Sequence, residues 1–171
     1  MIVADASVLI ALAKMVRLEL LQRLYGQAII GETVKVEVLD QGKAISAPGV
    51  EQMERALQQR WVRLVRLNAK ERMFLRRLLS NSRLDDGEAE ALSLAHSRGL
   101  KLIVDDKEAR AFAGALGIAY IGTVGVLLEA YLKGHMTLED FEQAMSDLSR
   151  VLWLSPAVVT EALKRAREAK R

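Results

Sequence analysis

The sequence predicts an α/β fold in which a parallel sheet is covered on both faces by helices. Short, continuously apolar segments alternate with longer helical patterns along the chain, which is typical of parallel strands that are buried on both sides. The chain has 171 residues, of which 51% are hydrophobic and 27% charged. This length and composition suit about one domain with a sizeable core.

Four segments have the composition of buried strands, and they span residues 1–4, 27–30, 100–104 and 118–121. The spacing of apolar residues predicts helices over 7–15, 18–25, 33–40, 48–59, 69–79, 88–97, 107–116 and 123–132. We expect the third of these helices to stop at Gly42.

Two further helices are expected near the end of the chain. Thr137 and Asp140 have the spacing of a capping box, and Ser155 precedes a proline that suits the first helical position. We therefore expect residues 1–133 to form the main domain and residues 134–171 to form a helical hairpin packed on it.

The composition excludes several kinds of site. Without cysteine, the chain can form neither disulfides nor thiolate zinc sites and has no cysteine nucleophile, which fits a reducing cytoplasm. The two histidines, His96 and His135, are isolated, so a zinc site is not expected. We expect both tryptophans, Trp61 and Trp153, to pack within the protein rather than to stack on bases.

Neither export nor membrane insertion is expected. Asp5 follows the first apolar residues with no basic leader before them, which argues against a signal peptide. Residues 111–128 carry no charge and reach the lower limit for a membrane span. Four glycines divide this segment into a helix end, a strand and a helix start: Gly114, Gly117, Gly122 and Gly125.

Acidic residues follow two of the predicted strands. Asp5 follows the first, and Asp105 and Asp106 follow the third. The carboxyl ends of parallel strands meet at one edge of the sheet, where ligands bind in open α/β folds. Glu37 lies in the helix after the second strand, and Glu88 and Glu90 open another helix, so these acids can join the same edge.

Two interpretations of these acids remain open. Aspartate before a helix is a common N-cap, and Asp85 with Glu88 has the capping-box spacing. Alternatively, three or four carboxylates that share a pocket require a counter-charge, and oxygen ligands suit Mg²⁺ or Mn²⁺. Capping is not available to Glu37, which stands inside its helix.

The basic residues are concentrated as well, although the net charge of the chain is only +3. Residues 60–83 contain eight of them and one acid, Glu71. This density is typical either of a solvated helix face or of a site for a phosphate backbone. The candidates for RNA contact are Arg60, Arg63, Arg66, Lys70, Arg76 and Arg77.

Four segments together resemble the PIN-domain superfamily, in particular the branch similar to VapC-type toxin ribonucleases. They read VADASVLIALAKMVRLELLQRLYG, ETVKVEVL, LDDGEAEALSLA and LKLIVDDKEARAFAGALGIAYIGTVGVLL. The resemblance covers about residues 1–133. It implies a three-layer α/β/α sandwich with a mostly parallel sheet of four to five strands, and a quartet of acids.

Matching the motifs implies four catalytic residues, Asp5, Glu37, Glu88 and Asp106. Their metal ligands would be Asp5, Glu88 and Asp106, with Asp105 as a close second match, and Ser7 and Glu90 would support them. Two positions depart from the pattern: Gly31 stands where relatives commonly have proline, and Glu88 where many have aspartate.

The resemblance implies a Mg²⁺- or Mn²⁺-dependent endoribonuclease, the toxin of a toxin–antitoxin pair, with RNA and an antitoxin as partners. We expect a cytoplasmic homodimer. An aspartate-based phosphatase is disfavoured because Ser7 stands where a second aspartate is needed. The remaining alternative is a PIN-like module, inactive as a nuclease, that binds nucleic acid or a protein.

Overall fold

The structure is a computed structural model that describes residues 1–81 and 83–169. These residues form a sheet of five strands: β1 (Ile2–Ala4), β2 (Ala28–Ile30), β3 (Val62–Leu64), β4 (Lys101–Ile103) and β5 (Tyr120–Ile121). All neighbouring strands are parallel, in the order β3-β2-β1-β4-β5. Ile2 of β1 pairs with Ala28 on one side and Lys101 on the other. The strand order reverses at β1, which in such sheets is where ligands bind.

Successive strand residues point to opposite faces of the sheet, and they divide between two apolar cores. Ile2 and Ala4 belong to one core, whereas Val3 between them belongs to the other. In β2, Ile30 and Ile29 divide in the same way. All five residues are buried, so both faces must be covered by helices.

Helices cover the two faces unequally. The face of Ile2 carries α1 (Ala6–Lys14), α2 (Glu19–Tyr25), α5 (Val50–Gln58), α9 (Thr123–Leu132), α10 (Leu138–Val151) and α11 (Pro156–Ala169). The face of Val3 carries α6 (Ala69–Asn81), α7 (Asp86–Arg98) and α8 (Lys107–Ala115). The predicted α/β/α sandwich with a parallel sheet is therefore confirmed.

One helical stretch on the first face is irregular. It consists of α3 (Glu32–Lys35), a π-helical turn (Val36–Gln41) and α4 (Gly42–Ala44), and we call it the distorted helix. The prediction that this helix stops at Gly42 is wrong. A Cβ at Gly42 would lie 2.8 Å from Val50 Cγ2, so the glycine allows close packing against α5 rather than ending the helix.

The sequence prediction also misses β3. Trp61 and Val62 are buried, but Arg63 and Leu64 are exposed, because β3 is an edge strand. Its sequence therefore lacks the continuous apolar run that identified the other four strands, all of which are present. The basic residues around it favoured a charged surface over a strand.

The C-terminal helices α10 and α11 pack against each other. Thr137 and Asp140 make the predicted capping box at the start of α10, and Arg167 of α11 contacts Glu142 of α10 at 2.8 Å. Phe141 and Leu148 are fully buried, so the hairpin shares the core of the first face. Residues 170 and 171 of the predicted hairpin lie outside the described residues.

Trp153 does not pack in the interior as predicted. It is 86% exposed, whereas Trp61 is buried as expected. Trp153 stands in the extended connection between α10 and α11, where Leu152 and Leu154 on either side pack against the core. Because extended residues alternate in direction, the side chain between them points to solvent.

The uncharged segment 111–128 is divided as its glycines predicted, into the end of α8, β5 and the start of α9. None of the helices in the described part of the chain is long and apolar enough to cross a membrane.

Candidate active site

The acids that follow the strands lie at the carboxyl edge of the sheet. Asp5 directly follows β1. Asp105 and Asp106 follow β4 after one intervening residue. These two strands are neighbours, and the backbone N–H of Asp5 donates to the carbonyl of Ile103. The geometry therefore brings the ends of β1 and β4 together where the strand order reverses.

Asp5 is buried and is the N-cap of α1. Its Oδ2 accepts hydrogen bonds from the backbone N–H of Ser7 at 3.2 Å and from Ser7 Oγ at 2.5 Å. Burial raises the pKa of Asp5, the bonds from Ser7 oppose that rise, and the charge of Asp85 adds to it. Ser7 thus fixes the orientation of the Asp5 carboxylate.

Glu88 lies in the first turn of α7 and forms a capping box with Asp85. The backbone N–H of Glu88 donates to Asp85 Oδ1 at 2.7 Å, and that of Asp85 donates to Glu88 Oε2 at 3.1 Å. Burial raises the pKa of Glu88 to about 7, with contributions from the charges of Asp85, Asp106 and Asp5. Glu88 therefore caps a helix and faces the acids at the ends of β1 and β4.

Glu37 reaches the same place from the π-helical turn. A Cβ on Gly87 would lie 2.7 Å from Glu37 Oε1, so the carboxylate lies against the first turn of α7. Burial raises the pKa of Glu37 to about 7, and the charges of Asp85 and Asp5 raise it further. π-helical turns occur frequently at functional sites.

Asp105 and Asp106 have different surroundings. Asp106 Oδ1 accepts from the backbone N–H of Ala109 at 2.8 Å as the N-cap of α8. Asp105 instead accepts from Arg110 at 3.0 Å and from the backbone N–H and Oγ1 of Thr123. Both oxygens of Asp105 are engaged by α8 and α9, whereas Asp106 is the acid whose charge acts on Glu88.

Glu90 has a structural role. Its Oε2 accepts from the backbone N–H of Thr33 at 2.9 Å, so it caps α3 from the neighbouring helix α7. A Cβ at Gly31 would lie 2.1 Å from Glu90 Cδ. Glycine at this position, where relatives commonly have proline, therefore leaves room for the carboxylate that starts the helix bearing Glu37.

Two residues of this region did not stand out as functional in the sequence. Asp85 was considered as a cap, yet its charge acts on Asp5, Glu37 and Glu88. Gly87 provides the space for Glu37. A signal was available, because a glycine inside a helix lowers its stability by about 1 kcal/mol and so implies a packing reason.

The donor atoms suit a hard cation, since Asp5, Glu37, Glu88 and Asp106 offer oxygen alone. In the described part of the chain, none of these four acids forms an ion pair with Lys or Arg. No group of three or more acidic or histidine side chains among residues 1–81 and 83–169 is arranged to hold a metal ion. Joint coordination by three of these acids therefore requires side-chain movement.

The predicted RNA-binding cations are spread over three parts of the fold. All of them are exposed: Arg60, Arg63, Arg66, Lys70, Arg76 and Arg77. Arg60 precedes β3 and lies at the edge of the sheet opposite the acids, which follow their strands. Arg63 is on β3, separated from β1 by β2. Arg76 and Arg77 lie in the last turns of α6, a few residues before Asp85.

A family model, DUF3368, described as a PIN domain, matches residues 1–168. No curated protein and no solved structure gives a significant match.

The contact between Gly31 and Glu90 gives a first prediction. Gly31→Ala should lower the free energy of unfolding by about 2–3 kcal/mol, because the new Cβ displaces the buried Glu90 carboxylate. In Glu90→Ala the space is free, so adding Gly31→Ala should cost less than about 1 kcal/mol. Urea unfolding of both single variants and the double variant measures this coupling. Gly114→Ala is the control, since its Cβ would approach only Tyr120 Cε1, at 3.9 Å. Additive losses would contradict the contact.

A second prediction concerns pH. Glu37 has a pKa of about 7 in the folded protein against an ordinary value of 4.5, so the folded state binds more protons between these values. The free energy of unfolding should therefore fall as the pH rises from 4.5 through 7. Because Glu37 is only partly buried, its share should be about 1 kcal/mol.

Urea unfolding between pH 4.5 and 8 in a chelator tests this share. The free energy of unfolding of Glu37→Gln should fall less steeply with pH than that of the native protein. The exposed control Glu51→Gln should show the same pH dependence as the native protein. Equal pH dependence in Glu37→Gln and the native protein would show that the pKa of Glu37 is not raised.

Proposed function

The chain belongs to the PIN-domain family, whose domains are in general nucleases, and from this premise we propose that it is a metal-dependent endoribonuclease that hydrolyses RNA phosphodiesters. The observation that carries the proposal is the group of four acids at the carboxyl edge. Glu37 and Glu88 have pKa values raised by burial and by neighbouring carboxylates. A cation bound among them would relieve this repulsion.

PIN nucleases typically use divalent metals. We propose that Asp5, Glu88 and Asp106 hold Mg²⁺ or Mn²⁺ and that Glu37 faces the attacking water or a second ion. Asp105 is left out of this set because Arg110 and Thr123 engage both of its oxygens. A bound divalent cation would stabilise the negative charge that develops on the phosphate and the leaving oxygen.

The protein groups then position the reactants. Ser7 holds Asp5, and the caps of α7 and α8 hold Glu88 and Asp106, so three carboxylates are fixed by short local bonds. Glu37, whose carboxylate lies beside these acids, would accept a proton from a water molecule. The proposed nucleophile is this water, placed for in-line attack on the phosphorus.

PIN domains bind nucleic acids in general, and here the exposed arginines would contact the RNA backbone. Arg76 and Arg77 are favoured because they lie towards the end of α6, a helix that packs against α7. Arg63 and Arg66 would extend the contact along the edge strand. Such contacts are weakened by salt because counterions are released.

We also propose, from the VapC-like motifs, that the protein is the toxin of a toxin–antitoxin pair that acts in the cytoplasm as a homodimer. The lack of cysteine is compatible with a reducing compartment. The alternative is a PIN-like module that binds nucleic acid or a protein without cleaving. It is favoured by the observation that no three of the described acids are yet arranged to hold a metal ion.

A nuclease assay separates these functions. Purified protein should cleave single-stranded or structured RNA with Mn²⁺ or Mg²⁺ and not with a chelator. Asp5→Asn should lower the cleavage rate by about 100-fold or more, whereas Asp147→Asn in α10 should not change it.

The same ions provide a test that does not depend on activity. A cation that binds only the folded protein raises its melting temperature. We expect this rise for the native protein and for Asp147→Asn, but not for Asp5→Asn. If no RNA is cleaved and no ion raises the melting temperature, the nuclease proposal is wrong and the binding module remains.

The basic residues give a further prediction. The triple variant Arg63→Ala, Arg66→Ala and Arg76→Ala should bind RNA about tenfold more weakly at low salt and show a shallower salt dependence. Filter binding in a chelator measures this without cleavage. The control removes three cations of α11, Lys164, Arg165 and Arg167. Equal affinity of the native protein and the first triple variant for RNA would show that these arginines are solvated surface residues that do not contact RNA.

A further inference from the structure

A cavity of about 230 Å³ opens beside Glu37, between α1 and the distorted helix. Apolar side chains form much of its wall: Ile10, Val38, Ile45 and Val50. Ile45 is 78% exposed, so an apolar side chain is in contact with solvent next to the acids. The cavity is smaller than the 300–1,000 Å³ typical of drug-sized ligands and suits a single ring system.

Polar groups lie at defined points of this wall. Gln41 stands four residues after Glu37 on the distorted helix and lines the same cavity. Its side-chain amide makes no hydrogen bond within the described part of the chain and is exposed. Lys14, at the end of α1, also lines the cavity. The site thus combines apolar walls, an amide that can donate and accept, and one cation.

We infer that this cavity holds one unpaired nucleobase of the RNA, adjacent to the phosphodiester that is cleaved. The inference rests on the proposed function, because Glu37 belongs to both the cavity wall and the group of acids. A nucleobase has apolar faces for Ile45 and Val50, a polar edge for Gln41, and a linked phosphate that Lys14 can attract.

The observations favour a nucleobase over an apolar side chain of a protein partner. An apolar side chain in the cavity would cover Gln41 and Glu37 without giving them hydrogen-bond partners, which is costly. A base edge can hydrogen-bond to Gln41 and leave Glu37 accessible to water. A base held here is neither paired nor stacked, so the enzyme should cut single strands or loops and not duplexes.

The test uses short RNAs that carry one abasic position, moved stepwise across the cleavage site. At one position next to the cut, loss of the base should lower kcat/KM of the native protein about tenfold or more. Ile45→Ala should lower kcat/KM on the intact RNA to a similar degree and be nearly insensitive to the abasic position. Gln41→Ala should change which base is preferred there.

Two matched variants serve as controls. Leu132→Ala removes an exposed apolar side chain at the end of α9, and Gln58→Ala removes an exposed amide at the end of α5. Both should keep the native response to the abasic position. If Ile45→Ala and the native protein respond equally at every position, the cavity does not hold a base.

A binding experiment in a chelator separates this inference from the proposed function. RNA with a fluorescent adenine analogue at the same position should change its emission when the native protein binds, and not when Ile45→Ala binds. This change without any cleavage would support the cavity while the nuclease proposal fails. If the emission is unchanged for the native protein at every position although the RNA is bound, the inference is wrong; a partner protein whose binding Ile45→Ala abolishes would then identify the occupant.

Discussion

Two carboxylates, one from the distorted helix and one from α7, each lie against the other helix near its start, and the site depends on these contacts. Glu37 of the distorted helix lies against Gly87 in the first turn of α7, and Glu90 of α7 caps α3 at Gly31 and Thr33. The start of α3 therefore depends on α7, and the Glu37 carboxylate packs against the start of α7. A side chain at either glycine would displace one of these carboxylates.

The acids proposed to bind a metal also cap helices, so the two interpretations open from the sequence are compatible. Asp5, Asp106 and the Asp85–Glu88 pair all cap helices. Capping fixes each carboxylate through a backbone N–H a few residues away. One short hydrogen bond therefore both caps the helix and orients the acid.

The electrostatics of the edge differ from those elsewhere in the fold. Glu71 is buried but pairs with Arg98 at 2.8 Å, which lowers its pKa. Glu129 contacts Tyr25, Lys101 and Lys133, and its pKa is also lowered although burial opposes this. In contrast, Glu37 and Glu88 have raised pKa values near 7. Perturbed groups of this kind cluster at functional sites, and here they lie at the carboxyl edge of the sheet.

The sequence by itself determined the α/β class and four of the five strands, because buried strands leave local patterns that tertiary packing does not overrule. Tertiary structure decided what no local pattern contains. It placed β3 at an edge, where a strand need not be apolar, turned Asp105 towards Arg110 and Thr123, and exposed Trp153. It also explains why Gly31 and Gly87 are glycines. The carboxylates that occupy the space beside them come from positions 90 and 37, which are distant along the chain.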